Sequence, residues 1–164
     1  MNAHLLNQPL YPDTFYHVYN RGNNHENIFY KRENYQYFLR KYQVYLSDYV
    51  DTYAYCLLPN HFHFLIKVKA VSDLSKRDLP NLKDLANLKK TDLKGSDRSV
   101  DKIISNQFRL LFLSYAKAIN KQEDRRGSLF QKPFRRKPVT NDRYLALLTT
   151  IFTIIRFIIS FVKN

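Results

Sequence analysis

Pro59-Asn60-His61-Phe62-His63-Phe64-Leu65-Ile66-Lys67-Val68 is a turn followed by an alternating run. Successive side chains of an extended chain point to opposite faces, so Phe62, Phe64, Ile66 and Val68 share one face and the two histidines the other. The Pro-Asn turn joins this strand to a preceding one over Asp51 to Leu58, which makes a hairpin. Upstream, Thr14-Phe15-Tyr16-His17-Val18-Tyr19 is rich in strand formers and ends at the polar cluster Asn20-Arg21-Gly22-Asn23-Asn24. Between them, Tyr35, Phe38, Leu39, Tyr42, Tyr45 and Leu46 recur at spacings of three and four, the signature of an amphipathic helix over Glu33 to Leu46. Downstream, Phe108, Leu111, Phe112, Tyr115 and Ile119 form one stripe on a helix predicted from Ile103 to Gln122. Leu129 to Val139 reads as a fourth strand interrupted by Pro133, and Asn141-Asp142 supplies a cap for a last helix. The order strand, helix, strand, strand, helix, strand, helix predicts an α+β fold. It is a ferredoxin-like split βαβ antiparallel sheet with helices on one face, an extra C-terminal helix, and the other face available to a partner.

The chain has 164 residues, a length that suits one domain over 1–164 and a core needing no disulfide. Lys69 to Lys102, rich in Lys and Asp, reads as a variable polar insertion in which Leu79, Leu82, Leu85 and Leu88 could line a short helix. A single cysteine, Cys56, excludes an internal disulfide framework and a Cys-rich zinc site. The formal charge of +13 points to a polyanion, nucleic acid before an anionic membrane. No signal peptide opens the chain, so a reducing, cytoplasmic setting is expected.

Three features could carry chemistry. His61 and His63 stand two apart on a strand, with Cα atoms about 6.5–7 Å apart, so their rings can lean onto one divalent ion. Spacing alone leaves a second reading open, a pair of surface histidines at a strand end. Lys117, Lys121, Arg125, Arg126, Lys132, Arg135, Arg136 and Lys137 crowd one stretch with Phe130 and Phe134 between them. Cations for phosphates and rings for unpaired bases are what a single-strand binder needs, and a solvated basic rim is the plainer alternative. Arg21, Asn23 and Asn24 offer donors to phosphate or base edges from a loop that could equally be a polar hairpin turn.

Five blocks stand in the order of a known family. They are Tyr16-His17-Val18-Tyr19-Asn20-Arg21-Gly22-Asn23-Asn24, Ile28-Phe29, Leu58 to Ile66, Tyr115-Ala116-Lys117-Ala118-Ile119-Asn120-Lys121, and Arg126-Gly127-Ser128-Leu129-Phe130-Gln131-Lys132-Pro133-Phe134-Arg135-Arg136. Together they resemble the REP-associated tyrosine transposases of the insertion-sequence-200-like HUH class, over roughly residues 14–145. The resemblance implies the same ferredoxin-like fold and a mobile-element enzyme that recognises a DNA hairpin and cuts single-stranded DNA beside it. It implies Mg²⁺ or Mn²⁺ on His61 and His63, and a helix-borne tyrosine that attacks the phosphate to give a 5′-phosphotyrosine. No small-molecule substrate and no membrane are expected as partners, and the family works as monomers or homodimers.

The chain departs from the family where the nucleophile belongs. The family's last helix reads Tyr-Ile-His-x-Asn-Pro, which puts the Tyr at the position of Ile151 and the Asn at that of Ile155. Codons for Tyr-Tyr-Ile-His-His-Asn-Pro-Phe, read one nucleotide late, encode Thr-Ile-Phe-Thr-Ile-Ile-Arg-Phe, which is Thr150 to Phe157. The expectation is a frameshift near Leu148, natural or from sequencing, with an early stop, which would explain the aberrant 146–164 tail and the apolar run from Leu145 to Val162; the gene's nucleotides decide it. Taken at face value that run is long enough for a membrane anchor. By sequence, Tyr144 and Tyr115 are the nearest substitute nucleophiles. Tyr115 belongs to the apolar stripe, and Tyr144 falls two turns early, about 11 Å along a helix. The alternative to an active enzyme is a catalytically impaired DNA module of the same fold that still binds a sequence or a hairpin.

Overall fold

A computed structural model describes residues 8–74, 93–148, 150 and 152. Among these residues four strands and three α-helices build an α+β structure: β1 Phe15–Arg21, α1 Arg32–Leu46, β2 Val50–Leu58, β3 His61–Val68, α2 Leu93–Gln122 and β4 Arg135–Pro138. The helix α3 opens at residue 142 and is helical over 142–148, at 150 and at 152. The strand order is β2-β3-β1-β4, antiparallel at every described pairing, with β3 between the parallel β1 and β2. This is the ferredoxin-like split βαβ sheet that the alternation predicts.

The core lies between this sheet and the helices α1 and α2. Tyr16 and Val18 of β1 and Phe62, Phe64, Ile66 and Val68 of β3 are buried on the helix side. They meet Phe38, Tyr42 and Leu46 of α1, spaced by four, and Val100, Ile104, Phe108, Leu111, Tyr115 and Ile119 of α2, spaced by three and four. Phe62 sits at the centre, with ring centroids of Phe38 and Phe64 at 5.2 and 5.5 Å. Burying such a ring contributes about 3 kcal/mol. Asn34 ties the two helices together. Its Oδ1 accepts the backbone N–H groups of Tyr30 and Lys31 at 3.0 and 2.9 Å, and its Nδ2 donates to Gln122 Oε1 at 2.9 Å.

Two boundaries and the placement of one helix differ from the sequence reading. α2 begins at Leu93, inside the stretch read as a polar insertion, and Val100 already belongs to its buried stripe. Leu79, Leu82, Leu85 and Leu88 lie outside the described residues. β4 is only Arg135–Pro138, because the chain before it bends through Pro133 and pairs once, at the isolated bridge between Gly22 and Phe130. Finally, α3 packs on the sheet face opposite α1 and α2, so that face is not wholly open. Leu148 and Phe152 are buried there against Cys56 and Leu65, with Phe15, Val139, Tyr144 and Leu145 around them. Asn141 caps this helix, its Oδ1 accepting the Tyr144 N–H at 2.8 Å. Among the described residues no helix is long and apolar enough to cross a membrane, and the proposed anchor run beyond residue 152 lies outside them.

Candidate functional site

Register decides which side chains meet on the α3 face of the sheet. β1 and β3 pair Tyr19 with His63, Arg21 with His61 and His17 with Leu65. β4 adds Arg135 beside Tyr19 and Lys137 beside His17, and β2 adds Cys56 beside His63 and Leu58 beside His61. Paired residues share a face. One row therefore reads Cys56, His63, Tyr19, Arg135, and the row next to it, toward the end of the sheet, holds Leu58, His61 and Arg21.

That end of the sheet is locked by the two loops that close it. The Gly22 N–H donates to Asn60 O at 2.9 Å, and the N–H groups of Ile28 and Phe29 both donate to Pro59 O, at 2.7 and 2.9 Å. Gly22 also lets its own loop fold back on it: a Cβ there would lie 2.1 Å from the Glu26 carbonyl oxygen. The buried Asn20 side chain donates to Gln131 O at 3.1 Å and accepts the Arg21 N–H at 2.9 Å. Asn23 Nδ2 donates to Ser128 O at 2.8 Å. The Asn-Arg-Gly-Asn-Asn turn, the Pro-Asn turn and the segment after α2 are thus one hydrogen-bonded unit, with His61 at its edge.

The two histidines do lie together. Their ring centroids are 5.2 Å apart with planes at 87°. His61 Nδ1–H donates to Asn60 Oδ1 at 2.7 Å, which leaves the lone pair of His61 on Nε2. His63 Nδ1 lies 2.8 Å from His17 Nε2, and His17 Nδ1 lies 2.8 Å from Tyr144 Oη. Tyr19 stacks on His17 with centroids 4.7 Å apart. Lys137 Nζ stands 4.4 Å from the centre of the Tyr144 ring.

Burial keeps these rings uncharged. Desolvation, then the neighbouring His61, lowers the His63 pKa to about 4. Desolvation, then His63 and Lys137, lowers that of His17 to about 3. His61 is lowered by desolvation and by Arg21. At neutral pH all three are neutral imidazoles, the form that ligates metals. Among the described residues no group of three or more His, Cys, Asp or Glu side chains forms an all-protein metal cage, and His17 meets the pair only through a ring nitrogen of His63.

The candidate nucleic-acid residues separate into groups. Arg21 and Arg135 belong to the face of the histidines, and Arg135 is exposed. Arg21 Nη2 bonds His25 Nδ1 while its buried Nε has no partner among the described residues. Asn24, Lys117, Lys121, Arg126 and Lys132 are exposed. Arg125 is engaged by Glu26 and by Asn120 Oδ1. Arg136 does not share this exposed surface. It is 7% exposed, because alternation along β4 turns it to the core side. There its guanidinium donates to Gln8 O at 2.6 Å and to Ser105 Oγ, and pairs with Asp101 at 3.3 Å. Phe130 and Phe134, read above as base-stacking rings, pack instead on Phe112, with centroids at 5.0 and 5.5 Å.

Of the two substitute tyrosines, Tyr115 is fully buried, its hydroxyl donating to Ile28 O at 2.7 Å on the far side of the sheet. Tyr144 is brought to the histidines. The two-turn offset predicts a misplaced hydroxyl, yet the first turn of α3 lies over His17, so Tyr144 Oη reaches the cluster. The position of Ile151 lies outside the described residues. Sequence reasoning passed over His17 and Tyr19. Both share the parity of Arg21 on β1, and that parity becomes a signal once β1 is known to pair with β3.

No protein-family model matches the chain, and no curated protein is similar to it at a significant level. Among solved structures, the chain is similar to a REP-associated tyrosine transposase bound to a REP hairpin, with a TM-score of 0.48 and 13% sequence identity. The match covers 85% of this chain and 64% of that one, so the chain spans less than two thirds of its length.

Proposed function

We propose that this protein binds single-stranded or hairpin DNA and, with a divalent ion on His61 and His63, cleaves it as a tyrosine transposase. The observation that carries the proposal is the pair of neutral imidazoles, each with one ring nitrogen engaged, on a sheet face that register also gives Arg21 and Arg135. The five ordered sequence blocks resembling the REP-associated transposases support the same reading.

The donor set fits such an ion as a partial shell. Two Nε2 nitrogens would hold it, and oxygen from water and a DNA phosphate would fill the remaining positions. When bound, the ion polarises the scissile phosphoryl group. The chain's own residues do the rest. Asn60 orients His61 through the bond to its Nδ1. Arg21 and Arg135 neutralise phosphates, the exposed Lys121, Arg126 and Lys132 extend the cationic surface, and the exposed Asn24 adds an uncharged amide donor. Tyr144 is the tyrosine whose hydroxyl reaches the cluster, and it is the candidate nucleophile.

A second reading, a hairpin-binding module without cleavage, is favoured by one observation: Ile151 occupies the place of the family's tyrosine, and Tyr144 Oη is bonded to His17. Incubation with an end-labelled hairpin oligonucleotide and Mn²⁺ separates the two. A denaturation-resistant protein–DNA adduct that disappears in Tyr144→Phe supports the enzyme, and retarded DNA without adduct supports the module. Absence of binding to any single-stranded or hairpin DNA at low salt refutes both.

A further inference from the structure

His17 is 9% exposed, and each of its ring nitrogens has one partner at 2.8 Å, His63 Nδ1 on one side and Tyr144 Oη on the other. A neutral imidazole carries one N–H and one lone pair. The chain of three side chains therefore has two self-consistent directions. In the first, Tyr144 donates to His17 Nδ1, His17 Nε2–H donates to His63 Nδ1, and His63 carries its proton on Nε2. In the second every bond is reversed: His63 Nδ1–H donates to His17 Nε2, and His17 Nδ1–H donates to Tyr144 Oη, whose own proton turns outward. Each ring keeps one proton and the tyrosine keeps its own, so the two directions have the same charge. Only the second leaves a bare lone pair on His63 Nε2.

We infer that His17 is a positioning residue for the cation ligand His63, and that Tyr144 is the acceptor that closes the chain in its ligand-competent direction. The inference rests on the metal assignment proposed above. A ligating histidine whose second nitrogen donates to a fixed acceptor is held in one tautomer and one orientation, and losing that partner weakens metal binding about 10–100-fold. Here the fixed acceptor is itself a histidine, so its orientation depends on the next group. Removing the Tyr144 hydroxyl leaves His17 Nδ1 unpaired in both directions, as a bare lone pair in the first and as a buried N–H in the competent one; the orphaned donor is the costlier, and that difference falls on cation binding. The start of α3 is in this way coupled to the metal site through one buried ring.

The test uses the full chain, titrated calorimetrically with Mn²⁺, and ring-nitrogen NMR of the metal-free protein. His63→Ala abolishes Mn²⁺ binding if the metal assignment holds. His17→Ala is then expected to weaken Mn²⁺ about 10–100-fold, and Tyr144→Phe about tenfold. In metal-free protein, Tyr144→Phe is expected to move the ring ¹⁵N resonances of His63, which Tyr144 reaches only through His17. Should His17→Ala fail to fold, Tyr144→Phe carries both readouts. Wild-type Mn²⁺ affinity in Tyr144→Phe together with unmoved His63 resonances overturns the inference while leaving the metal assignment standing. A wild-type protein that binds no Mn²⁺ overturns the assignment and the inference with it.

Discussion

Adjacent arginines on β4 are expected to fail in opposite ways. Arg136 points to the core, where Gln8 O, Ser105 Oγ and Asp101 hold its guanidinium, and its charge lies 5.2 Å from the centre of the Phe134 ring. Replacing it with Ala removes all of these contacts and leaves the 20% exposed Asp101 side chain without its countercharge. Breaking a buried ion pair from one side costs about 3–5 kcal/mol. For a chain of this length each kcal/mol lowers Tm by about 2–4 °C, so Arg136→Ala is expected to melt about 10 °C below the wild type. Arg135 is exposed, and exposed substitutions stay within about 0.5 kcal/mol. Arg135→Ala should melt like the wild type but bind hairpin DNA less tightly, with the slope of log K against log salt reduced by about one. Scanning calorimetry measures the first effect, and anisotropy of a labelled hairpin across a salt series measures the second. An Arg136→Ala protein that melts normally but loses DNA affinity would refute the burial argument. An Arg135→Ala protein with an unchanged salt slope would remove DNA from the histidine face.

Further outcomes follow from the same geometry. His61→Ala and His63→Ala should each abolish Mn²⁺-dependent cleavage while keeping Tm within a few degrees, and a lowered Tm with intact cleavage would return the pair to a purely structural role. Gly22→Ala should destabilise by about 2 kcal/mol or more, because its Cβ meets the Glu26 carbonyl at 2.1 Å, and urea unfolding reads this directly. In metal-free protein, stability should fall as pH drops from about 6.5 toward 4. His17 and His63 take up protons near 6.5 when unfolded but only at about 3 and 4 when folded, which costs about 2 kcal/mol per ring at about pH 5. A flat urea midpoint across that window would show that the rings are not desolvated. Burial raises the Cys56 thiol pKa to about 11, so alkylation by iodoacetamide at mild pH should require unfolding, and rapid labelling of native protein would contradict its place under α3.

Much of the fold is legible because its signals are local. The alternation of Phe62, Phe64, Ile66 and Val68 and the four-residue spacing of Phe38, Tyr42 and Leu46 are each set by one element's own period. Boundaries were less legible where composition and packing disagree. The charged stretch around Asp101 and Lys102 resembles solvated linker, yet Val100 and Ile104 continue the buried stripe of α2 through it, and Asp101 is drawn inward by Arg136. The placement of α3 could not be read at all, since an apolar run states that it must be covered and not by which face of the sheet.

The site shows where a one-dimensional reading stops. His61 and His63 are visible because two histidines two apart on one strand meet through the strand's own period. His17 belongs to the same cluster, forty-six residues away, and only the β1–β3 register brings its Nε2 to 2.8 Å from His63. The basic stretch fails in the opposite sense. Arg135, Arg136 and Lys137 are indistinguishable as charges, but a strand sends the middle one to the core and the outer two to the histidine face. A charge count therefore overstates the exposed cationic surface, because Arg136 is buried, while counting only the histidines of β3 leaves His17 out of the cluster. Both errors have one origin, which is that face and neighbour are fixed by pairing partners distant in the chain.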